Sequence, residues 1–136
     1  MWNNLFNTVN LLGRGLNASW TRNAVIRNNI ANIETPNFQA SDVEFETLLA
    51  RSLQNSGFTA ATTHPGHRQL GSGADPDSVS PQIIQRRGTS MRLDGNNVDI
   101  EAENVRLAQN SIHYNVLIER LNSELRRLRM AITEVT

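Results

Sequence analysis

His64-Pro65-Gly66-His67 is the stretch of this 136-residue chain with the best claim to metal chemistry. Two histidines so spaced can share an ion, but zinc needs further protein ligands. The third histidine, His113, is remote in sequence and there is no cysteine. The pair therefore reads as a solvated loop. Asp94, Asp99, Glu101 and Glu103 gather carboxylates, yet their spacing does not fit the twelve-residue calcium loop. Acidic residues in the first turn of a helix, where its dipole favours them, account for the cluster better. Gly71–Asp75 (GSGAD) follows no clear strand and so lacks the setting of a phosphate loop. The serines sit in loops or on helix faces, with no histidine and acid marked out beside them. Arg126, Arg127 and Arg129 could touch nucleic acid. The chain is neutral overall, with 13 basic and 13 acidic residues, so a solvated helix end is the better reading. The expectation is a chain that is not an enzyme. It has no catalytic residue, cofactor, metal, small-molecule substrate or nucleic-acid partner.

Composition points the same way. Only 38% of the residues are hydrophobic and 5% aromatic, sparse for a compact enzyme of one-domain length. Without cysteine there is neither disulfide nor thiolate chemistry. No apolar run approaches the roughly 20 residues of a membrane span. The start, MWNNLFNTVNLLGRGL, lacks the basic flank and long apolar stretch of a cleaved signal peptide. That implies a cytoplasmic chain or one exported by a route that needs no such peptide.

The elements that must supply function are therefore long helices. Leu5, Val9, Leu12, Leu16, Ser19, Asn23, Ile26, Ile30 and Ile33 are spaced alternately 4 and 3 apart. A seam of that period marks a helix that pairs along its length. Phe6, Gly13, Leu16 and Trp20 form a neighbouring stripe, a candidate second covered face. Asn3 or Asn4 could cap the start. Gly13 and Gly15 each weaken the helix by roughly 1 kcal/mol relative to alanine, and leave room for close backbone approach. The C-terminal segment repeats the pattern through Ile100, Asn104, Leu107, Ser111, Tyr114, Ile118, Leu121, Leu125, Leu128 and Ile132. Asp99 is its expected cap, and the arginines near its end suit the dipole. The two helices would run about 40 and 50 Å.

Between them the pattern lapses. SGFTAATTHPGHRQLGSGADPDSVSP, within residues 51–95, is rich in Gly, Ser, Thr and Pro and keeps neither period. Ile83-Ile84, then Gly88, Met91 and Leu93, suggest a short strand or hairpin. Ser41–Leu53 suggests a further helix, capped by Ser41 or Asp42 and apolar through Phe45, Leu48, Leu49 and Leu53. The expected fold is mainly α: long N- and C-terminal helices pairing as a coiled-coil-like bundle, with an irregular or partly β central excursion. Its divisions are residues 1–35, 36–95 and 96–136.

Asn28–Phe38, NNIANIETPNF, is the most marked local design. Pro36 disfavours helix at Thr35, so the first helix should end near Ile33 or Glu34. Asn37 tolerates a left-handed turn, after which Phe38 can fold back onto the seam. The Asn29 and Asn32 amides can bond the turning backbone or a neighbouring chain.

Asn29-Ile30-Ala31-Asn32-Ile33-Glu34-Thr35-Pro36-Asn37-Phe38 also resembles the N-terminal signature of bacterial flagellar rod and hook proteins, Asn-[Leu/Ile]-Ala-Asn-x-x-Thr-Pro-Gly-[Tyr/Phe]. Asn37 departs from its glycine. Asp42-Val43-Glu44-Phe45, Thr63–His67, and Asp94–Glu101 followed by Leu107–Asn110 and Tyr114 are similar to the proximal-rod members of that family. The resemblance implies a structural subunit of the basal-body rod, polymerising through its terminal helices into the drive shaft that carries motor torque. It implies export by the flagellar type III apparatus without a cleaved signal and assembly in the periplasm. The implied partners are further copies, other rod proteins, the rod-base adaptor and the membrane ring. Leu5, Val9, Leu12, Leu16, Ile26, Ile30 and Ile33 are then expected to pack against Ile118, Leu121, Leu125, Leu128 and Ile132, with Tyr114 in the same seam. Asn29, Ala31, Asn32, Thr35, Pro36, Asn37 and Phe38 would form the helix-stop signature. Periodicity alone leaves two readings of the seams open, the core of a small bundle or contacts between copies. A helical adaptor held in the cytosol is the rival from another class.

Overall fold

The computed structural model describes residues 2–55, 79–88 and 92–133, with the side chains of residues 2–5 and 55 excepted. His64, His67 and the Gly71–Asp75 stretch lie outside the described residues. Helix α1 (Trp2–Ala31) and helix α3 (Ile100–Thr133) dominate, at 30 and 34 residues. Those lengths correspond to about 45 and 51 Å. They pack side by side and antiparallel. Leu117 Cδ1 lies 3.4 Å from where a Cβ on Gly15 would stand. The Asn110 side chain bonds the Ser19 carbonyl at 2.9 Å, and Asn29 bonds Glu103 at 3.0 Å. Gly15 thus provides the close approach expected of it.

The middle of the chain differs from the local reading in two places. Ser41–Glu44 is a strand, β1, not the start of a helix; helix α2 begins only at Glu46 and runs to Asn55. Ile83 and Ile84 do lie in a strand, β2 (Gln82–Gln85), whose partner among the described residues is not the segment after Gly88. It pairs antiparallel with β1, Ser41 opposite Gln85 and Glu44 opposite Gln82. The reason is a partner some forty residues away, which a local pattern cannot register. The backbone hydrogen bond from Arg86 to the Ala40 carbonyl, 2.8 Å, extends the ladder by a step.

The buried set is small and unusually polar. Ala18, Val25, Ile26, Ala40, Val43, Phe45, Val98 and Leu128 are its apolar members. Ser19, Asn29, Ser52, Asn96, Glu103, Asn110 and Glu124 are its polar ones. With the two kinds nearly equal in number, hydrogen-bond geometry fixes this core as much as apolar packing does. Three of the polar members, Asn29, Asn96 and Glu103, gather where α1 ends, β1 begins and α3 starts.

Candidate functional site

Helix α1 stops as its sequence dictates. The regular helix closes at Ala31, and turns carry the chain through Thr35 to Asn37. Asn37 takes a φ of 59° in the left-handed region, as its residue type allows. Asn32 holds the turn by donating to the Asn28 carbonyl at 2.8 Å, and Thr35 donates to Asn32 Oδ1 at 3.3 Å.

The last carbonyls of a helix need donors. Those of Asn28, Asn29 and Ile30 take the amides of Asn32 and Ile33, and the turn beyond the helix is held from far along the chain. The Asn96 amide, wholly buried, donates to the carbonyls of Asn32, Ile33 and Thr35 at 3.0, 2.9 and 2.9 Å. Its Oδ1 accepts from the Val98 amide at 2.8 Å. Asn97 works beside it. Its Oδ1 accepts from the Ala40 amide at 2.6 Å, and its Nδ2 donates to the Arg86 carbonyl at 2.8 Å and to Gln39 Oε1 at 3.0 Å. Gly95 makes the turn possible. Its φ is +79°, and a Cβ there would lie 2.6 Å from Asn37 Oδ1.

Asn29 is the second anchor. Its Nδ2 donates to the Ser41 carbonyl at 2.8 Å and its Oδ1 accepts from the Ser41 amide at 2.9 Å. A side-chain amide so placed imitates a strand partner, and pins β1 to α1. The same Nδ2 reaches Glu103 Oε2 at 3.0 Å. Glu103 is fully buried, so its charge requires partners. It receives Arg106 at 3.0 Å and an ion pair from Arg86. Asp42 stands 3.9 Å from both arginines. Asp99 caps α3, its Oδ1 accepting from the amides of Glu101 and Ala102 at 2.9 and 3.2 Å. This junction ties together α1, β1, β2 and α3. Two turns back on the same face of α1, Arg22 bonds Glu46 at 2.6 Å. Burial raises the Glu46 carboxyl, but hydrogen bonds from Arg22 and its own backbone amide prevail and hold it below its ordinary value.

Of the signature residues, Asn29 is buried, while Asn32 and Phe38 are half-buried. Ala31, Thr35, Pro36 and Asn37 lie exposed. Of the seam residues, Ile26 and Leu128 are buried. Val9, Leu12, Leu16, Ile30, Ile33, Tyr114, Ile118 and Leu121 are half-buried. Leu125 and Ile132 are exposed, and the Leu5 side chain lies outside the described set. Asn29 meets Glu103 at one end of the pair and Gly15 meets Leu117 farther along. Ile26, Ile30 and Ile33 therefore lie at the opposite end of α3 from Leu121 and Ile132. Sequence reasoning missed Glu103 as a clamp, because an acid in a first helical turn already had a reason to be there. It also gave Asn96 and Asn97 no role. They entered only as part of the Asp94–Glu101 run that carries the resemblance, and locally a turn explains a doubled asparagine after Gly95 equally well.

Among the described residues no group of three or more His, Cys, Asp or Glu is placed to hold a metal ion. No described helix is long and apolar enough to cross a membrane. No protein-family model matches the chain. Individual proteins do. It is 37% identical over 126 residues to the flagellar basal body rod protein FlgB of Bacillus subtilis (strain 168), covering 93% of each chain. It is 34% identical over 112 residues to the FlgB of Cereibacter sphaeroides, covering 82% of this chain and 83% of that one. To the FlgB of Proteus mirabilis it is 27% identical over 139 aligned positions, 98% of either chain. A long-helix hairpin closed by this signature, alike over nearly its whole length to such proteins, defines a flagellar basal body rod protein. Within that class, the chain belongs to the FlgB family.

Proposed function

We propose that the chain is a structural, non-enzymatic subunit of the proximal flagellar rod. Copies join through their long helices into the helical shaft that transmits torque. The observation that carries this reading is that each long helix has two apolar faces and covers one. On the side of α1 away from α3, Phe6 and Trp20 stand exposed; on the corresponding side of α3, Val105, Ile112, Val116 and Met130 do. A helix apolar on two sides is built for neighbours on two sides. Contacts between unlike surfaces repeat without closing, which yields tubes and filaments.

In this reading the seam residues Leu5, Val9, Leu12, Leu16, Tyr114, Ile118, Leu121 and Leu125 serve both the pair and its neighbours. Asn29, Asn32, Thr35, Pro36, Asn37 and Phe38 shape the end of each subunit. The partners are further copies, other rod proteins, the adaptor at the rod base and the membrane ring. Export runs through the flagellar type III apparatus without a cleaved signal, and assembly takes place in the periplasm.

The test is mass spectrometry of isolated basal bodies, with and without a deletion of the gene. The expected result is the chain in the wild-type particle and, in the deletion, a membrane ring lacking its rod. Normal basal bodies without the chain, which then remains in the cytosol, would overturn the reading in favour of a helical adaptor.

A further inference from the structure

Asp94-Gly95 is the one Asp-Gly pair of the chain, which holds no Asn-Gly pair. Aspartate before glycine is a reactive sequence, because no side chain on the glycine hinders its backbone nitrogen from reaching the aspartate carboxyl. That nitrogen attacks Cγ, a C–N bond forms, and one carboxyl oxygen leaves as water. The product is a five-membered succinimide. Water then opens the ring at either carbonyl. One opening restores aspartate. The other leaves isoaspartate, in which the main chain runs through Cβ and Cγ and the former main-chain carbonyl stands as a carboxylate. One water is released and one consumed, with no oxidant, reductant or cofactor.

In the folded chain each group of that reaction is held by another partner. The Gly95 amide donates to the Arg92 carbonyl at 3.2 Å. Asp94 Oδ1 accepts from the Asn96 amide at 3.1 Å, and its Oδ2 lies 3.3 Å from the Arg92 guanidinium. The Asp94 carbonyl accepts from the Asn37 amide at 2.9 Å, and the Gly95 carbonyl from the Gln39 side chain at 2.9 Å. Nitrogen and carboxylate cannot turn to one another without opening this turn. Isomerisation, in its turn, strikes the lock. It adds a methylene group to the main chain directly before Asn96, whose amide must reach the carbonyls of Asn32, Ile33 and Thr35. It also takes from Asn37 the carbonyl that its amide bonds.

We propose that Asp94-Gly95 is a modification site of the unfolded chain, where succinimide formation converts Asp94 to isoaspartate, and that the junction completed by this turn shields the site once the chain has folded. A chain that folds promptly keeps the bond intact. A chain held unfolded ages at the turn its lock depends on, and loses the ability to close it. The product carries the isoaspartyl carboxylate that repair methyltransferases esterify. The inference concerns the chemistry of the turn and stands apart from the rod-subunit reading.

The test ages purified full-length chain in warm, mildly acidic buffer, with and without guanidinium chloride. Peptide mapping by mass spectrometry locates isoaspartate at position 94, and methyl transfer by an isoaspartyl methyltransferase measures its amount. The reaction needs the opened turn, so it should run at least about tenfold faster in denaturant. Gly95→Ala should slow it in denaturant, where the fold plays no part. Asn96→Ala, aged without denaturant, should isomerise faster than the native chain. Chain isomerised in denaturant and returned to native buffer should show a lower urea midpoint than unaged chain. Equal rates in the folded and unfolded chain, or no acceleration in Asn96→Ala, would overturn the shielding. Isomerisation of Gly95→Ala at the native rate in denaturant, or an unchanged urea midpoint after isomerisation, would overturn the assignment of the site.

Discussion

The two ends of the helix pair are held by different physics. Where α1 stops and α3 starts, buried amides, a buried carboxylate and two arginines define the arrangement atom by atom. From the middle, where Gly15 meets Leu117, towards the other end, half-buried aliphatic residues line the pair and further apolar ones stand bare, with Glu124, paired to Arg120 and Arg127, the buried polar exception. Polar locks are directional and tolerate one geometry. Apolar surface is non-directional and adheres to whatever apolar surface it meets. The first end sets the shape of the subunit; the second supplies contacts that neighbours can share.

Perturbing the apolar end should have the largest consequence for the cell. Leu121→Asp puts a carboxylate on a half-buried seam position. Swimming and rod assembly should be abolished while export of the chain continues; normal motility on soft agar would contradict the account. At the locked end, Asn96→Ala removes one of two donors from each of the carbonyls of Asn32, Ile33 and Thr35 and leaves the buried Val98 amide without its acceptor. The purified chain should lose about 3 kcal/mol, from unsatisfied buried polar groups, seen as a lower urea midpoint. A smaller loss, about 1–2 kcal/mol, should follow Gly95→Ala, since a side chain at positive φ is strained and its Cβ must displace the Asn37 amide. Smallest is the Arg22–Glu46 pair. The folded Glu46 carboxyl titrates below its unfolded value, so its contribution is full above the unfolded value and lost as pH falls through the folded one. Denaturation curves of the native chain and Glu46→Gln should therefore differ near neutrality and converge in strong acid. An equal difference at both would remove the pair from the account.

Legibility in sequence followed the range of the interaction. The long helices were readable because their period recurs over many turns. The stop at Thr35-Pro36 and the left-handed Asn37 were readable because proline and asparagine act on their own backbone. The Asp99 cap was equally local. Strand β1 was not readable as a strand: Ser41–Glu44 owes its conformation to Asn29 on one side and Gln82–Gln85 on the other. Nor was the buried role of Glu103, whose partners Asn29 and Arg86 come from separate segments. The seam marked each helix as one that pairs along its length, yet the most deeply buried line runs partly through Ala18, Val25 and Asn110. Periodicity locates an apolar stripe, but the polar side chains that replace part of it are recognised only by what they touch.

The Asn96 bonds span 64 residues to Asn32. Until Asn96 has arrived, the turn after α1 lacks its long-range donor, and β1 lacks its neighbour β2 until Gln82–Gln85 is present. Closing so long a loop carries its entropic cost before any contact rewards it. A chain emerging end-first, from a ribosome or a narrow conduit, thus cannot complete its lock from the first 95 residues. Completion is timed by the arrival of the C-terminal part, so the same asparagine that fixes the finished shape keeps the unfinished chain threadable.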